Sequence, residues 1–258
     1  TPFPLPGSDQ QGRILAFQDL TELRQIEEEM KRVEGLALIG EMAAAIAHEI
    51  RNPLASISGS IQLLKEGGAK EDMNRRLMDI VMREIDRLNH LVNEFLLFAR
   101  PRKAKFDRFE LNHLVQDSLD LFQKSQQWNQ KIRVRQSFPT PVYLESDAEQ
   151  IRQVLWNLFQ NAVEAMPEGG SLFLTTERIE ALPKENDSLA KVKVTIRDTG
   201  KGFESKALEN LFTPFFTTKP EGSGLGLAIV KRITEGLNGK VQGANHPDGG
   251  AEVSVVLP

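Results

Sequence analysis

Apolar residues recur at Ile39, Met42, Ile46, Ile50, Leu54, Ile57, Ile61 and Leu64, in steps of three and four. That spacing is the stripe of one long helix with a single buried face. A second stripe, Leu77, Val81, Ile85, Leu88, Val92 and Phe95, lies on a segment that reads as helix from about Glu71 to Ala99. The glycine pair in Lys65-Glu66-Gly67-Gly68 permits the left-handed turn that stops the first helix, and Arg100-Pro101-Arg102 ends the second. Two long helices joined by a short turn form an antiparallel helical hairpin. One hairpin cannot cover both stripes, so the pattern predicts a homodimer in which two hairpins close a four-helix bundle.

His48 lies off the first stripe. It is two residues from both Ile46 and Ile50, roughly 200° around the helix from each at about 100° per residue, so its imidazole points to solvent. A neutral imidazole can attack through one nitrogen while a carboxylate holds the proton on the other, and Glu49 is placed to supply that carboxylate. Asn52, four residues on, shares the exposed face and can hold a phosphoryl oxygen or a water. Pro53 offers no backbone N–H to the Glu49 carbonyl, which predicts a bend just beyond the histidine.

The 258 residues allow two modest domains of ordinary composition, 40% hydrophobic and 26% charged. A net charge of -4 gives no basic footprint, and nucleic acid is set aside as a partner. The absence of cysteine rules out disulfides, thiolate zinc sites and a Cys nucleophile, and fits a cytoplasmic location. No apolar run approaches the roughly 20 residues that span a bilayer, so no membrane contact is expected within this chain. The first residue is Thr1 rather than Met, and the chain is expected to be a fragment whose parent carries any membrane anchor outside it.

Thr1 to Gly7 is proline-rich and reads as an extended arm, and Gly12 to Thr21 alternates weakly as a strand. Asp19 or Thr21 can cap the helix that follows. Leu23, Ile26, Met30, Val33 and Ala37 approach a heptad seam, the pattern of a coiled-coil linker over residues 21–37, softened by Gly35 and Gly40.

Beyond a boundary at residues 100 to 107 the texture becomes mixed. Leu111 to Lys124 reads as a helix, Lys131 to Gln136 and Pro141 to Glu145 as strands, and Asp147 opens a helix reaching Ala165. Ser171 to Thr176, Lys191 to Arg197 and Gly250 to Leu257 read as further strands, with an exposed loop over Pro183 to Ser188. Asn157 and Asn161, at i and i+4, share a helix face where their carbonyl oxygens can approach magnesium, although two asparagines alone are more often a polar stripe on a buried helix. Asp198, at a strand end before Gly200 and Gly202, can accept a hydrogen bond from an exocyclic amine, though such a cluster is more often a plain turn. Gly222, Gly224 and Gly226 lead into a helical run from Ala228 to Leu237, an arrangement that aims backbone N–H groups at phosphates or serves only as a flexible loop. Phe212 to Lys219, including Pro214 and Phe215, reads as a hinged lid or as plain packing, with Lys219 on phosphate or in solvent.

Together these stretches resemble a known family. His48-Glu49-Ile50-Arg51-Asn52-Pro53-Leu54 is similar to the phospho-acceptor box of sensor histidine kinases, and the four later clusters resemble, in order, the asparagine, glycine, phenylalanine and second glycine boxes of the Bergerat-type ATP-binding domain. The resemblance covers about Leu36 to Pro258 and implies an α plus α/β chain. A dimerisation and phosphotransfer hairpin over 38–100 would precede an α/β-sandwich catalytic domain over 107–258. Residues 1–20 resemble the end of a PAS sensor domain, the alternative being a remnant that packs on nothing. Within the family, Glu94 to Pro101 and the run after Leu54 look most like nitrogen-sensor and type IV pilus sensor kinases. Leu237-Asn238-Gly239 departs from the His-Gly-Gly of many relatives, and no role is assigned to Asn238.

The resemblance implies that His48 takes the γ-phosphoryl of Mg-ATP with Glu49 orienting its proton, then passes it to an aspartate of a response regulator receiver domain. It implies that Asn52 serves a reverse, phosphatase reaction. Asn161 and Asn157 would hold magnesium, Asp198 would recognise adenine, and Gly200, Gly202, Phe215, Lys219, Gly222, Gly224 and Gly226 would shape the nucleotide pocket and lid. The rival readings are another ATPase of the same nucleotide fold, which leaves His48 without purpose, and a non-catalytic dimeric scaffold, which leaves the nucleotide boxes without one.

Overall fold

The computed structural model describes residues 2–4, 11–13, 19, 21–65, 71–99, 104–179, 191–219 and 222–258, with the side chains of the first long helix described mainly from Ala43 onward. The chain divides into two units, Thr1–Ala44 and Ala45–Pro258. In the first, strands β1 (Pro2–Pro4) and β2 (Gln11–Arg13) pair antiparallel, Phe3 opposite Gly12, which agrees with an extended arm. The alternation expected from Ile14 to Gln18 lies outside the described residues, as do the turn at 66–70 and the loop at 180–190.

Helix α1 (Thr21–Lys65) is continuous through Gly35, Gly40 and Pro53, so the expected soft junction does not appear as a break. It stops at Lys65, and α2 runs from Glu71 to Ala99, as the two stripes predict. Leu77, Val81, Leu91 and Phe98 of α2 are buried. The rest of the stripe is not. Leu54 and Ile61 on α1 are 50% and 51% exposed, and Ile85 and Val92 on α2 are 39% and 42% exposed. The faces read as buried from their periodicity are therefore open in the single chain, because two helices cannot enclose both.

The remainder is an α/β sandwich. Strand β3 (Asp107–Glu110) pairs antiparallel with β5 (Tyr143–Ser146). Strands β4 (Ile132–Ser137), β6 (Gly170–Ile179), β7 (Lys191–Asp198), β8 (Lys240–Asn245) and β9 (Ala251–Leu257) form a second sheet in the order β4-β6-β7-β9-β8, with only β4 and β6 parallel. Helices α3 (Leu111–Gln123), α4 (Ala148–Glu164) and α6 (Gly226–Gly236) share its core, and the short α5 (Ser205–Leu208) lies between β7 and α6 in the chain.

Local chemistry accounts for the helix starts and one unusual stop. Asp147 caps α4 by accepting from the Gln150 N–H at 3.0 Å, and Glu110 caps α3 by accepting from the N–H groups of Asn112 and His113. Asn238, at φ 59°, takes the left-handed position after α6, and the Gly239 N–H donates to the Thr234 carbonyl at 2.8 Å. Asparagine is the usual second choice to glycine there, so Asn238 closes a helix.

Candidate active site

The period of two along β7 places Val192, Val194, Ile196 and Asp198 on the same face, the one that meets the helices. Asp198 is consequently only 5% exposed. Its Oδ1 accepts from the Gly200 N–H at 2.8 Å and the Ala251 N–H at 3.3 Å, while no described residue donates to Oδ2. Burial pushes the carboxyl above its usual range, against the lowering effect of those N–H groups and of nearby Lys219 and Arg197. Asp198 lines a cavity of about 200 Å³ whose apolar wall includes Ile196, Phe203 and Leu211. A buried acceptor beside an apolar slot suits a flat, amine-bearing ring.

Gly202, Gly222, Gly224 and Gly226 also line this cavity. Gly200 does not; its place is beneath Asp198, where a side chain would run into the Ala165 carbonyl. Gly224, at φ 69°, lies against the backbone of Phe215, and a Cβ there would come within 2.5 Å of the Phe215 carbonyl carbon. Phe215 is itself left-handed, at φ 60°, and its N–H donates to the Gly224 carbonyl at 3.0 Å. Of the phenylalanines at 212, 215 and 216, only Phe216 lines the cavity, and Phe215 meets the glycine loop through its backbone. Helix α6 begins at Gly226 with no side-chain cap, which leaves its first N–H groups open to an anion.

The asparagines of α4 divide their roles. Asn157 is 6% exposed; its Nδ2 donates to the Gly226 carbonyl and its Oδ1 accepts from Gln153, both at 3.2 Å. It ties α4 to the start of α6, with one of the two lone pairs of its amide oxygen taken by Gln153. Asn161 Oδ1 instead accepts from Lys219 Nζ at 2.9 Å, and the same ammonium pairs with Glu164. An amide oxygen and a carboxylate gathered on one cation form a hard-oxygen set that fits magnesium, with Asn161 as the residue to hold it.

Helix α2 supplies another wall of the cavity through His90 and Glu94. Ser223 Oγ donates to Glu94 Oε2 at 2.5 Å, and the Arg232 guanidinium of α6 lies 4.7 Å over the Phe98 ring.

On α1, His48 is exposed, as its position off the stripe predicts. Its Nδ1 lies 3.3 Å from Asn52 Nδ2. Glu49, one residue on and thus about 100° away around the helix, turns instead to Arg87 of α2 at 3.9 Å. The ring partner in this structure is therefore Asn52, not the expected carboxylate.

Residues 38–104 match the His Kinase A (phospho-acceptor) domain, and residues 146–258 match the histidine kinase-, DNA gyrase B- and HSP90-like ATPase domain. The crystal structure of histidine kinase ThkA in complex with response regulator protein TrrA superposes with a TM-score of 0.76 at 33% identity, over 93% of this chain and 68% of that one. The chain belongs to the sensor histidine kinases. The sensor histidine kinase ZraS of Escherichia coli O157:H7 is 37% identical over 90% of the chain, and the signal transduction histidine-protein kinase AtoS of E. coli K12 is 32% identical over 96%. The chain spans 49% and 39% of those two relatives. They do not single out the nitrogen-sensor or pilus-sensor subgroup.

For a histidine kinase, the fold thus pairs a phospho-acceptor hairpin with a Bergerat-type sandwich, the architecture expected from the boxes. Glu94, His90, Ser223 and Glu164 at the cavity escaped the sequence reading. The i, i+4 spacing of His90 and Glu94 on a helix was the one available signal.

Proposed function

We propose that this chain is the transmitter region of a two-component sensor. In this reading residues 38–100 are the dimerisation and phosphotransfer domain, 107–258 the catalytic domain, 21–37 a coiled-coil linker and 1–20 the end of a PAS-like sensor. It works as a homodimer in the cytoplasm, whether or not its parent is anchored in a membrane. Among the described residues no helix is long and apolar enough to cross one.

His48 attacks the γ-phosphorus of ATP in line. A nitrogen–phosphorus bond forms, the bond to the bridging oxygen breaks, ADP leaves with that electron pair, and the ring proton passes to solvent or a nearby carboxylate. Asp198 orients adenine, the glycine loop and the first turn of α6 receive the phosphates, and Asn161 would hold magnesium, which when bound would offset negative charge on the phosphates. The Asn52 amide selects the ring tautomer: with its oxygen toward Nδ1–H, the Nε2 lone pair is free to attack, and with its nitrogen toward Nδ1 the proton rests on Nε2. The phosphoryl group then moves to a receiver aspartate, and Asn52 positions water for the reverse dephosphorylation of that regulator.

The observation that carries this reading is a solvent-facing His48 bonded to Asn52 in a chain that also builds the Asp198 cavity. Its likeness to a kinase crystallised with a response regulator supports the receiver as partner. Incubation with ATP radiolabelled at the γ-phosphate should give an acid-labile, alkali-stable phosphoprotein that His48→Gln abolishes. Label that survives in His48→Gln, or ATP hydrolysis with no label in wild type, would favour another ATPase of this fold.

A further inference from the structure

The Lys219–Glu164 pair lies where the proposed metal ligand points. Glu164 is the last residue of α4, and its Oε1 accepts from Gln160 Nε2 at 3.0 Å, which turns Oε2 to Lys219. Lys219 is anchored at its own backbone, where its N–H donates to Thr217 Oγ1 at 3.0 Å. Its ammonium reaches both Glu164 and, at 2.9 Å, Asn161 Oδ1, three residues apart on one face of α4.

Magnesium binds oxygen at about 2.0–2.1 Å, and a dication and an ammonium on one amide oxygen would repel strongly at such short range. Metal at Asn161 therefore requires Lys219 to leave. The Lys219 and Glu164 side chains are 31% and 41% exposed, so their ion pair is a weak one that can open. Departure without a new partner would still strip Lys219 of two oxygen contacts. A nucleotide phosphate supplies that partner, because the same cavity is lined by Lys219 and by the glycine loop.

We propose that Glu164 is a positioning residue that parks the Lys219 ammonium on Asn161 Oδ1, so that Lys219 and magnesium compete for one oxygen and the metal enters together with the nucleotide. The proposal rests on the reading of this cavity as the Mg-ATP site and adds an internal counter-ion to it. It makes the metal ligands stay ordered around an ammonium, and it makes Glu164 the group that decides when Lys219 is released to phosphate.

The test uses the full chain, with Mn²⁺ as the metal probe read by electron paramagnetic resonance and ADP binding read by calorimetry in excess chelator. Lys219→Met should bind Mn²⁺ without nucleotide about tenfold more tightly than wild type. Glu164→Gln alone should tighten metal-free ADP binding about threefold, Glu164→Asp should behave as wild type, and Glu164→Gln should have no effect on ADP in the Lys219→Met background. A wild type that binds ADP, together with a Lys219→Met variant that gains no Mn²⁺ affinity or with a Glu164→Gln effect on ADP binding that persists without Lys219, overturns the parking role. A wild type that binds no ADP at all overturns the nucleotide site itself, and the parking role with it.

Discussion

Ser223 Oγ donates to Glu94 Oε2 at 2.5 Å, joining the glycine loop at the mouth of the nucleotide cavity to helix α2. Glu94 is 12% exposed on its side chain and also faces His90 Nε2 at 3.5 Å. A carboxylate of α2 held on a hydroxyl of this loop ties the position of α2 to the state of the loop.

That contact has a pH dependence. The hydrogen bond to Glu94 raises the His90 pKa above its ordinary 6.5, against burial, with Glu94 and Glu164 adding attraction. The stabilisation is thus fully present below pH 6.5 and is lost as pH rises through the raised value. Melting temperatures measured from pH 6 to pH 9 should fall more steeply for wild type than for His90→Gln, and Glu94→Gln should share the flatter profile.

Asp198→Asn should separate stability from binding. Because burial raises the carboxyl's pKa, the ionised form costs stability at neutral pH, and that cost disappears as pH falls through the raised value. An amide keeps an oxygen for the Gly200 and Ala251 N–H groups but presents a donor where adenine requires an acceptor. Thermal unfolding at pH 7.5 should show the variant no less stable than wild type, and calorimetry should show ATP binding weaker by about 10–100-fold.

Two glycines should respond in opposite directions. Gly224→Ala places a Cβ against the Phe215 backbone at a left-handed φ and should cost more than about 1–2 kcal/mol, with loss of nucleotide binding. Gly236→Ala, at the last position of α6 with nothing within 4 Å of its Cβ, should stabilise by about 0.4–1 kcal/mol. Chemical denaturation of both variants checks the pair.

Asn52 can be tested by tautomer preference. Asn52→Asp offers only acceptors to Nδ1 of His48, which keeps Nε2 free, and should preserve autophosphorylation. Asn52→Leu leaves the ring unheld and should slow initial phosphorylation about fivefold, the worth of roughly 1 kcal/mol. Radiolabel incorporation over the first minutes compares the two.

Where periodicity was strong, the sequence reading and the structure coincide closely: α1 ends at Lys65, α2 spans Glu71–Ala99, and Asp147 caps α4. Three elements escaped it. Strands β3 and β8 are short and largely exposed, so their alternation is faint, and α5 has four residues, too few to show a helical period. The Asp198 cluster and the glycine loop were legible because a strand end and a helix start leave local signatures.

Partners far apart in the chain were not legible. Asn161 and Lys219 are 58 residues apart, and Glu94 and Ser223 are 129 apart. Glu49 and Phe215 were read from their neighbours, yet packing turned one toward Arg87 and set the other backbone-first against Gly224. The sequence by itself determined the long helices, the Asp147 cap, the strand carrying Asp198 and the exposure of His48, since each follows from residue type and spacing along a single element. Only the tertiary structure decided which side chains meet across elements, including the ammonium on Asn161 and the carboxylate on Ser223, because those meetings depend on how elements pack and not on any local period.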